Sequence, residues 1–153
     1  MRLLKEERGQ ALIETAVSVG LFIVLLIGAV EFGQLAFAAT QVTDAAEAAA
    51  QYATQSPATA ANATAMLSAA KGDFYSPSEL TMSTPTYACN CVGSTTSVSC
   101  TNNDPSNPTC AGSAYVEVTI TVQTQATYTP SIHLPGVSSS FKLTGTAKRK
   151  VLQ

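Results

Sequence analysis

The longest apolar segment of the chain lies close to its N-terminus. Residues 15–30 contain no charged side chain, and the apolar pattern extends back to Ala11 when one acid, Glu14, is included. A helix needs about 17–25 residues to cross the hydrocarbon core of a bilayer. The extended segment therefore predicts a membrane-spanning helix over residues 10–31. A carboxylate at the bilayer centre costs about 2.5–3.5 kcal/mol, and less near the interface, so Glu14 calls for a compensating partner.

Beyond residue 31 the apolar positions recur at alternating spacings of three and four residues, which is the period of one helix face. These positions are Phe32, Leu35, Ala39, Val42, Ala46, Ala49 and Ala53. The pattern predicts that the membrane helix continues as an amphipathic helix. Its apolar stripe either covers the sheet of its own domain or forms a seam between subunits.

The rest of the chain predicts a small α+β domain. A short second helix is predicted over residues 56–72, because Ser56 suits the N-cap and the proline after it suits the first helical position. Apolar and polar residues alternate over residues 115–128 and 141–151, and more weakly over residues 79–86, as in half-buried strands. A small three-stranded antiparallel sheet packed against a helix is therefore expected.

Four cysteines fall in one polar stretch rich in Gly, Ser and Asn: Cys89, Cys91, Cys100 and Cys110. Outside the cytoplasm an even number of cysteines predicts two disulfides that brace this loop. Three pairings are possible, of which we favour the nested one, Cys91–Cys100 inside Cys89–Cys110. A metal site is disfavoured, because no Cys-x-x-Cys pair is present and His133 is distant in sequence.

The basic residues indicate how the chain is oriented. Arg2, Lys5 and Arg8 precede the apolar segment, and the next cation is Lys71. An excess of Lys and Arg on a short flank keeps that flank in the cytoplasm, so the C-terminal part is expected outside it. The net charge of −2 argues neither for nor against a partner. No basic patch indicates nucleic acid, so that class is set aside.

These patterns divide the chain into three parts and predict that it is anchored in the cytoplasmic (inner) membrane. Residues 1–9 form a cytoplasmic leader, residues 10–31 a transmembrane helix and residues 32–153 an extracytoplasmic domain. Catalysis is not expected, because the single histidine, His133, has no acid nearby in sequence. No phosphate-binding loop or nucleophile elbow occurs either, and no cofactor is expected.

A cleavable signal peptide is the main competing interpretation of the apolar segment. Residues 36–38 read Ala-Phe-Ala, the small-x-small pattern of a signal peptidase site. Glu31 and Gln34 interrupt the approach to that site, however, and Glu14 would lie inside the apolar core. We therefore favour a retained helix.

Residues 7–14 read Glu-Arg-Gly-Gln-Ala-Leu-Ile-Glu, which resembles the processing site of type IV prepilins: a charged leader that ends in Gly, with Glu as the fifth residue of the mature chain. The resemblance implies cleavage between Gly9 and Gln10. The new α-amine of Gln10 would lie one helical turn before Glu14, on the same helix face. By the same resemblance, the Glu14 carboxylate pairs with the N-terminal amine of a neighbouring subunit and sets the axial register of assembly.

More widely, the chain resembles the TadE-like pseudopilins of tight-adherence (Flp) pilus systems. The residues that carry this likeness are 8–14, 30–33 (Val-Glu-Phe-Gly), 41–46 and 51–53, with the pattern of residues 116–122, 129–136 and 141–148. One departure is Gln34, at a position where the family often has a basic residue after the Phe-Gly motif.

The resemblance implies a minor pilin-like subunit that a prepilin peptidase processes. Its partners would be other pilins or pseudopilins and the inner-membrane assembly platform, and the pilus they build would serve surface adhesion. The alternative from another class is a single-pass, membrane-anchored envelope domain that binds a surface or partner without polymerising.

Overall fold

The computed structural model describes residues 3–95, 97–98, 110, 116–132 and 138–151, with the backbone alone for residues 3–8. One long N-terminal helix packs against an antiparallel sheet, which confirms the predicted α+β fold class. The elements are α1 (Leu3–Ala53), α2 (Pro57–Ala60), α3 (Ala63–Gly72), β1 (Thr81–Met82), β2 (Thr86–Cys91), β3 (Ser97–Val98), β4 (Val116–Tyr128) and β5 (Phe141–Lys150).

Helix α1 runs without a break for 51 residues. It contains no proline, and at 1.5 Å per residue it is about 75 Å long. From Gly9 to Ile27 the side chains of α1 are exposed, whereas one face of its last three turns is buried against the sheet and α3. The predicted continuation of the apolar helix as an amphipathic helix is confirmed.

The apolar stripe of α1 covers the chain's own sheet only in its later part. Its four C-terminal members are fully buried in the core: Val42, Ala46, Ala49 and Ala53. Leu35 is half-buried and Phe32 is exposed. Because most of the buried positions are alanines, the helix backbone approaches its neighbours closely. The stripe thus acts within the chain from Val42 onward and is left open before it.

The second predicted helix forms as two short pieces. Ser56 caps α2 as predicted, in a capping box with Thr59, and Pro57 takes the first helical position. Asn62 then accepts a hydrogen bond from the Ala65 backbone N–H and starts α3. An Asn side chain that bonds its own backbone competes with helix continuation, which explains the break.

Strand β4 forms the centre of the sheet. Strand β5 pairs along one side of it, from Tyr128↔Phe141 to Thr119↔Lys150. Strands β1 and β2 follow one another along the other side, and β3 extends the sheet beyond β2. All pairings are antiparallel. The sheet has five strands, where the sequence predicts three.

The difference arises around the first cysteines. The strand predicted over residues 79–86 is reduced to Thr81–Met82, and the next strand, β2, contains Cys89 and Cys91. Cys89 is buried opposite Val118 in the ladder, so the cysteines supply the apolar face of a strand. The sequence predicts a loop there because polar residues outnumber the apolar ones.

The backbone of α1 touches the sheet directly at one point. Gly145 is buried, and a Cβ placed on it would overlap the Val42 carbonyl oxygen and lie 2.7 Å from the Val42 carbonyl carbon. Its ladder partner, Thr124, donates a hydrogen bond from its hydroxyl to the same Val42 oxygen at 2.7 Å. A glycine that leaves space and a hydroxyl that supplies a bond together hold the helix at a fixed distance from β4 and β5.

Candidate functional site

The N-terminal half of α1 presents a hydrophobic surface that the sheet domain does not cover. Large apolar side chains stand exposed along it from Leu12 to Phe37. Within the described part of the chain, one helix is long and apolar enough to cross a membrane, and its described extent is Gly9–Ala53. Burying this surface in lipid would remove a large apolar area from water. The helix is therefore a candidate membrane anchor, consistent with a membrane location.

The residues of the predicted processing site lie on this exposed helix. Gly9 and Gln10 are both helical and exposed, and a Cβ added to Gly9 would meet no atom within 4 Å. Glu14 lies one turn further along and is also exposed. No ion pair links Glu14 to any of the side chains that the structure describes, which begin at Gly9. The fold thus presents these three residues outward and leaves the Glu14 carboxylate open to a partner outside the chain.

A second acid, Glu31, links the helix to the sheet domain. One carboxylate oxygen accepts a hydrogen bond from the Ile132 backbone N–H at 3.1 Å, and the other lies 3.3 Å from the hydroxyl of Tyr128. The same hydroxyl lies 3.4 Å from the side-chain oxygen of Gln34. The contacts fasten the end of β4 to the helix close to the end of its apolar segment. We call Glu31, Gln34, Tyr128 and Ile132 the junction.

The tyrosine of the junction is kept in its neutral form. Partial burial raises the pKa of Tyr128 above its usual value, and the negative charge of Glu31 and the hydrogen bond to it act in the same direction. The phenol therefore remains a donor up to more alkaline pH than a free tyrosine would. Any contribution of this hydrogen bond to stability is present at neutral pH and is lost as the pH rises through that raised pKa.

The cysteines pair differently from the nested arrangement that we favoured. Cys91 is bonded to Cys110, with their Cα atoms 5.6 Å apart, so the preferred Cys91–Cys100 and Cys89–Cys110 pairing is wrong. Cys89 is also disulfide-bonded, and Cys100 lies outside the described residues. Cys91 ends a strand opposite Val116, at the start of β4. The bridge thus holds Cys110 beside that point.

A small apolar cluster surrounds this bridge. Cys89, Cys110 and Val116 are buried in it, separately from the main core, and Val98 and Val118 pack against it at its edge. The cluster gives the polar, cysteine-containing segment a small apolar core of its own. The bridge and the cluster together fix the end of the sheet that is farthest from the junction.

Removing the Cys91–Cys110 bridge should destabilise the domain. We expect the double variant Cys91→Ser, Cys110→Ser to lose about 2–4 kcal/mol of unfolding free energy, because the closed loop no longer restricts the unfolded chain. Pulse proteolysis of the full chain in detergent and urea measures the change. Peptide mapping of exported, nonreduced protein should find Cys91 linked to Cys110. A Cys91–Cys100 peptide would contradict the pairing.

Several contacts at the site escape prediction from sequence. Glu31 is visible as an acid at the end of an apolar run, but its partners lie about 100 residues away and carry no local signal. Gln34, the departure from the family pattern, has its side-chain oxygen 3.4 Å from the Tyr128 hydroxyl. His133 lies outside the described residues. Among the residues that are described, no group of three or more His, Cys, Asp or Glu side chains could hold a metal ion.

The geometry defines a class of protein: a candidate single-helix membrane protein whose anchor continues directly into an α+β domain. Comparison with known families gives the next step. The family described as TadE-like protein matches residues 9–51, which confirms the resemblance over the exposed half of α1 and most of its buried half. The match covers 43 of the 153 residues and is consistent with a TadE-like protein. Neither the curated proteins nor the solved structures give a match.

The family match begins at Gly9, the residue that ends the predicted leader. It includes Gln10, Glu14 and the junction residues Glu31 and Gln34. Residues 52–153 lie outside it, so the likeness noted for the C-terminal strands stays a prediction.

Proposed function

We propose that this chain is a minor, pilin-like subunit, a pseudopilin, of a tight-adherence (Flp) pilus used for surface adhesion. A prepilin peptidase cleaves it between Gly9 and Gln10, and the mature helix then associates with other pilins or pseudopilins at the inner-membrane assembly platform. The observation that carries the proposal is that the segment matched by the TadE-like family contains the exposed, apolar part of α1. The domain leaves that surface entirely to lipid or to partners.

Glu14 gives this surface its specificity. Its carboxylate is exposed among apolar neighbours such as Leu12, Ile13 and Val17, and a bilayer would withhold water from it. An α-amine created at Gln10 of an adjacent subunit would neutralise it, and a charge pair in a medium of low dielectric constant is strong when both partners are in place. The pair forms only after cleavage, so processing would permit assembly.

The same proposal fixes the orientation in the inner membrane. Arg2, Lys5 and Arg8 hold the leader in the cytoplasm, where the peptidase and the platform act on it, and the sheet domain lies outside. An oxidising space outside suits the disulfides of the domain. Its role is in assembly, not catalysis, and it needs no cofactor.

Replacing Gly9 tests the proposal. We expect Gly9→Ala to slow cleavage by about two orders of magnitude, because a methyl group would displace the scissile bond in the peptidase site. Its fold should be unchanged, since a Cβ at Gly9 meets no atom within 4 Å. N-terminal sequencing and electrophoretic mobility measure the change, and mature wild-type protein should start at Gln10.

Gly20→Ala is the matched control, because a Cβ there is equally unhindered. It should be processed like the wild type. A mature chain that starts at Ala39 would instead indicate secretion after a signal peptide. An intact N-terminus at Met1 would favour the anchored binding domain that does not polymerise. Normal cleavage and piliation of Gly9→Ala would refute the proposed processing.

A further inference from the structure

An open apolar groove lies beside the junction. It has a volume of about 420 Å³ and lies between α1 and the sheet domain. Val30, Phe37 and Ala38 form its helix side, and Tyr75 and Tyr128 form the opposite side. Phe74 is buried in the core, which directs the adjacent Tyr75 outward to this edge. The groove is therefore built from segments that the core holds in place.

Three separate segments carry exposed apolar side chains at about the level of this groove along the axis of α1, and Phe32 among them lies on the helix face opposite the groove. Phe32 and Phe37 on α1 are 76% and 58% exposed, Tyr75 after α3 is 57% exposed, and Ile132 after β4 is 43% exposed. We call these four residues the exit rim. Large apolar side chains that are exposed at one level, and that come from several segments, mark a candidate interaction site.

We propose that the exit rim rests in the headgroup layer of the bilayer that α1 spans, so that phospholipid fills the apolar groove. The partner is the lipid surface itself. The inference goes beyond the role in pilus assembly, because it needs only the membrane anchor.

The axial position of the rim agrees with this placement. If the span ends at Glu31, Ala38 lies seven residues, or about 10 Å, further along the helix axis. The headgroup layer on one side of a bilayer is about 5–8 Å thick, so the residues from Phe32 to Phe37 fall within it or at its outer edge. Tyr75 borders the groove beside Phe37, and Ile132 is bonded to Glu31 through its backbone N–H. All four rim residues therefore lie close to the same level.

The chemistry of the rim also favours lipid headgroups. Tyrosine combines an apolar ring with a polar hydroxyl, and aromatic residues of this type gather at membrane–water interfaces. Glu31 would be unfavourable at this depth as an isolated charge. Its two oxygens are instead engaged by Ile132 and Tyr128, so the domain supplies the hydrogen bonds that lipid tails lack.

Because the sequence contains no tryptophan, a single introduced tryptophan reports its own depth. The full chain is reconstituted in phosphatidylcholine vesicles whose acyl chains carry bromine near the glycerol end. We expect the Tyr75→Trp and Ile132→Trp variants each to lose most of their emission relative to vesicles without bromine. The two variants come from different loops, so they test the rim independently.

Val92→Trp is the matched control. Val92 is 37% exposed and follows β2 directly, at the end of the sheet opposite the junction. Its emission should be unaffected by bromine. Retention of the Cys91–Cys110 bridge, read by nonreducing peptide mapping, verifies that each variant is folded.

Two results would overturn the inference. Emission from both rim variants that is as insensitive to bromine as that of Val92→Trp would place the rim in water. If the introduced tryptophans were shielded from water only at high protein density, and bromine did not quench them, the rim would be assigned to contacts between copies of the chain. Neither result depends on cleavage at Gly9, so the inference and the proposed assembly role can fail separately.

Discussion

Glu14→Gln is expected to leave the chain folded, cleaved and inserted but unable to associate with its partner subunits. Removing one member of a charge pair that is shielded from water costs about 3–5 kcal/mol, which corresponds to a loss of roughly two to four orders of magnitude in association constant. Glu14 is exposed and has no ion-pair partner in the described part of the chain, so the domain itself loses no contact when the charge is removed.

The measurement is co-purification or crosslinking of the subunit with other pilins, together with electron microscopy of cell-surface filaments. Ser18→Ala is the control, because Ser18 is one turn further along the helix, is exposed and carries no charge. Its filaments should be normal. Wild-type association and filament number in Glu14→Gln would show that the carboxylate has no part in assembly and that α1 serves only as a tether.

Gly145→Ala should destabilise the sheet domain by about 3 kcal/mol or more. The added Cβ would overlap the Val42 carbonyl oxygen and lie 2.8 Å from the Thr43 Cα, and neither of these backbone atoms can move without shifting α1. Overpacking a core usually costs about 1–3 kcal/mol, and a clash with helix backbone is expected at or above the top of that range. The shift would also stretch the hydrogen bond from Thr124 to Val42.

Pulse proteolysis in urea on detergent-solubilised full-length protein measures this loss. Thr146→Ala is the matched control, since Thr146 is the next residue of β5 and is exposed. It should change the unfolding free energy by less than about 0.5 kcal/mol. Equal stability of Gly145→Ala and Thr146→Ala would mean that the helix does not press on the sheet at this point.

The elements with a strong local pattern were predictable from sequence. Residues 116–123 alternate strictly between apolar and polar side chains, and β4 has the predicted buried face, which includes Ile120 and Val122. The spacing of three and four residues in α1 likewise predicts the buried positions Ala46, Ala49 and Ala53. It misses Ala45 and Ala50, which are also buried. In both cases the signal lies within one element, so no knowledge of its neighbours is required.

What depends on distant residues was not predictable. The choice of Cys110 as the partner of Cys91 follows from the pairing of β2 with β4, which sequence spacing does not encode. The contact between Val42 and Gly145 is similar, because a glycine inside a strand does not reveal which backbone approaches it. The same holds for the junction, which joins Glu31 to residues near position 130. It also holds for the exit rim, which combines residues from three separate segments.

The processing and assembly roles of the candidate site stay predictions. The helix exposes Gly9, Gln10 and Glu14 together, as the prepilin-like pattern requires, and the TadE-like match covers all three. Cleavage and pairing with a second subunit involve molecules other than this chain. They therefore remain predictions that Gly9→Ala and Glu14→Gln can decide.

The absence of any break in α1 has a mechanical consequence. A rod without proline, clamped to the sheet at Val42 and again at Glu31, has no hinge at which the domain can lag behind the anchor. A force that lifts the N-terminal end axially out of the bilayer would carry the sheet domain upward by the same distance. Rotation of the rod would likewise turn the domain through the same angle.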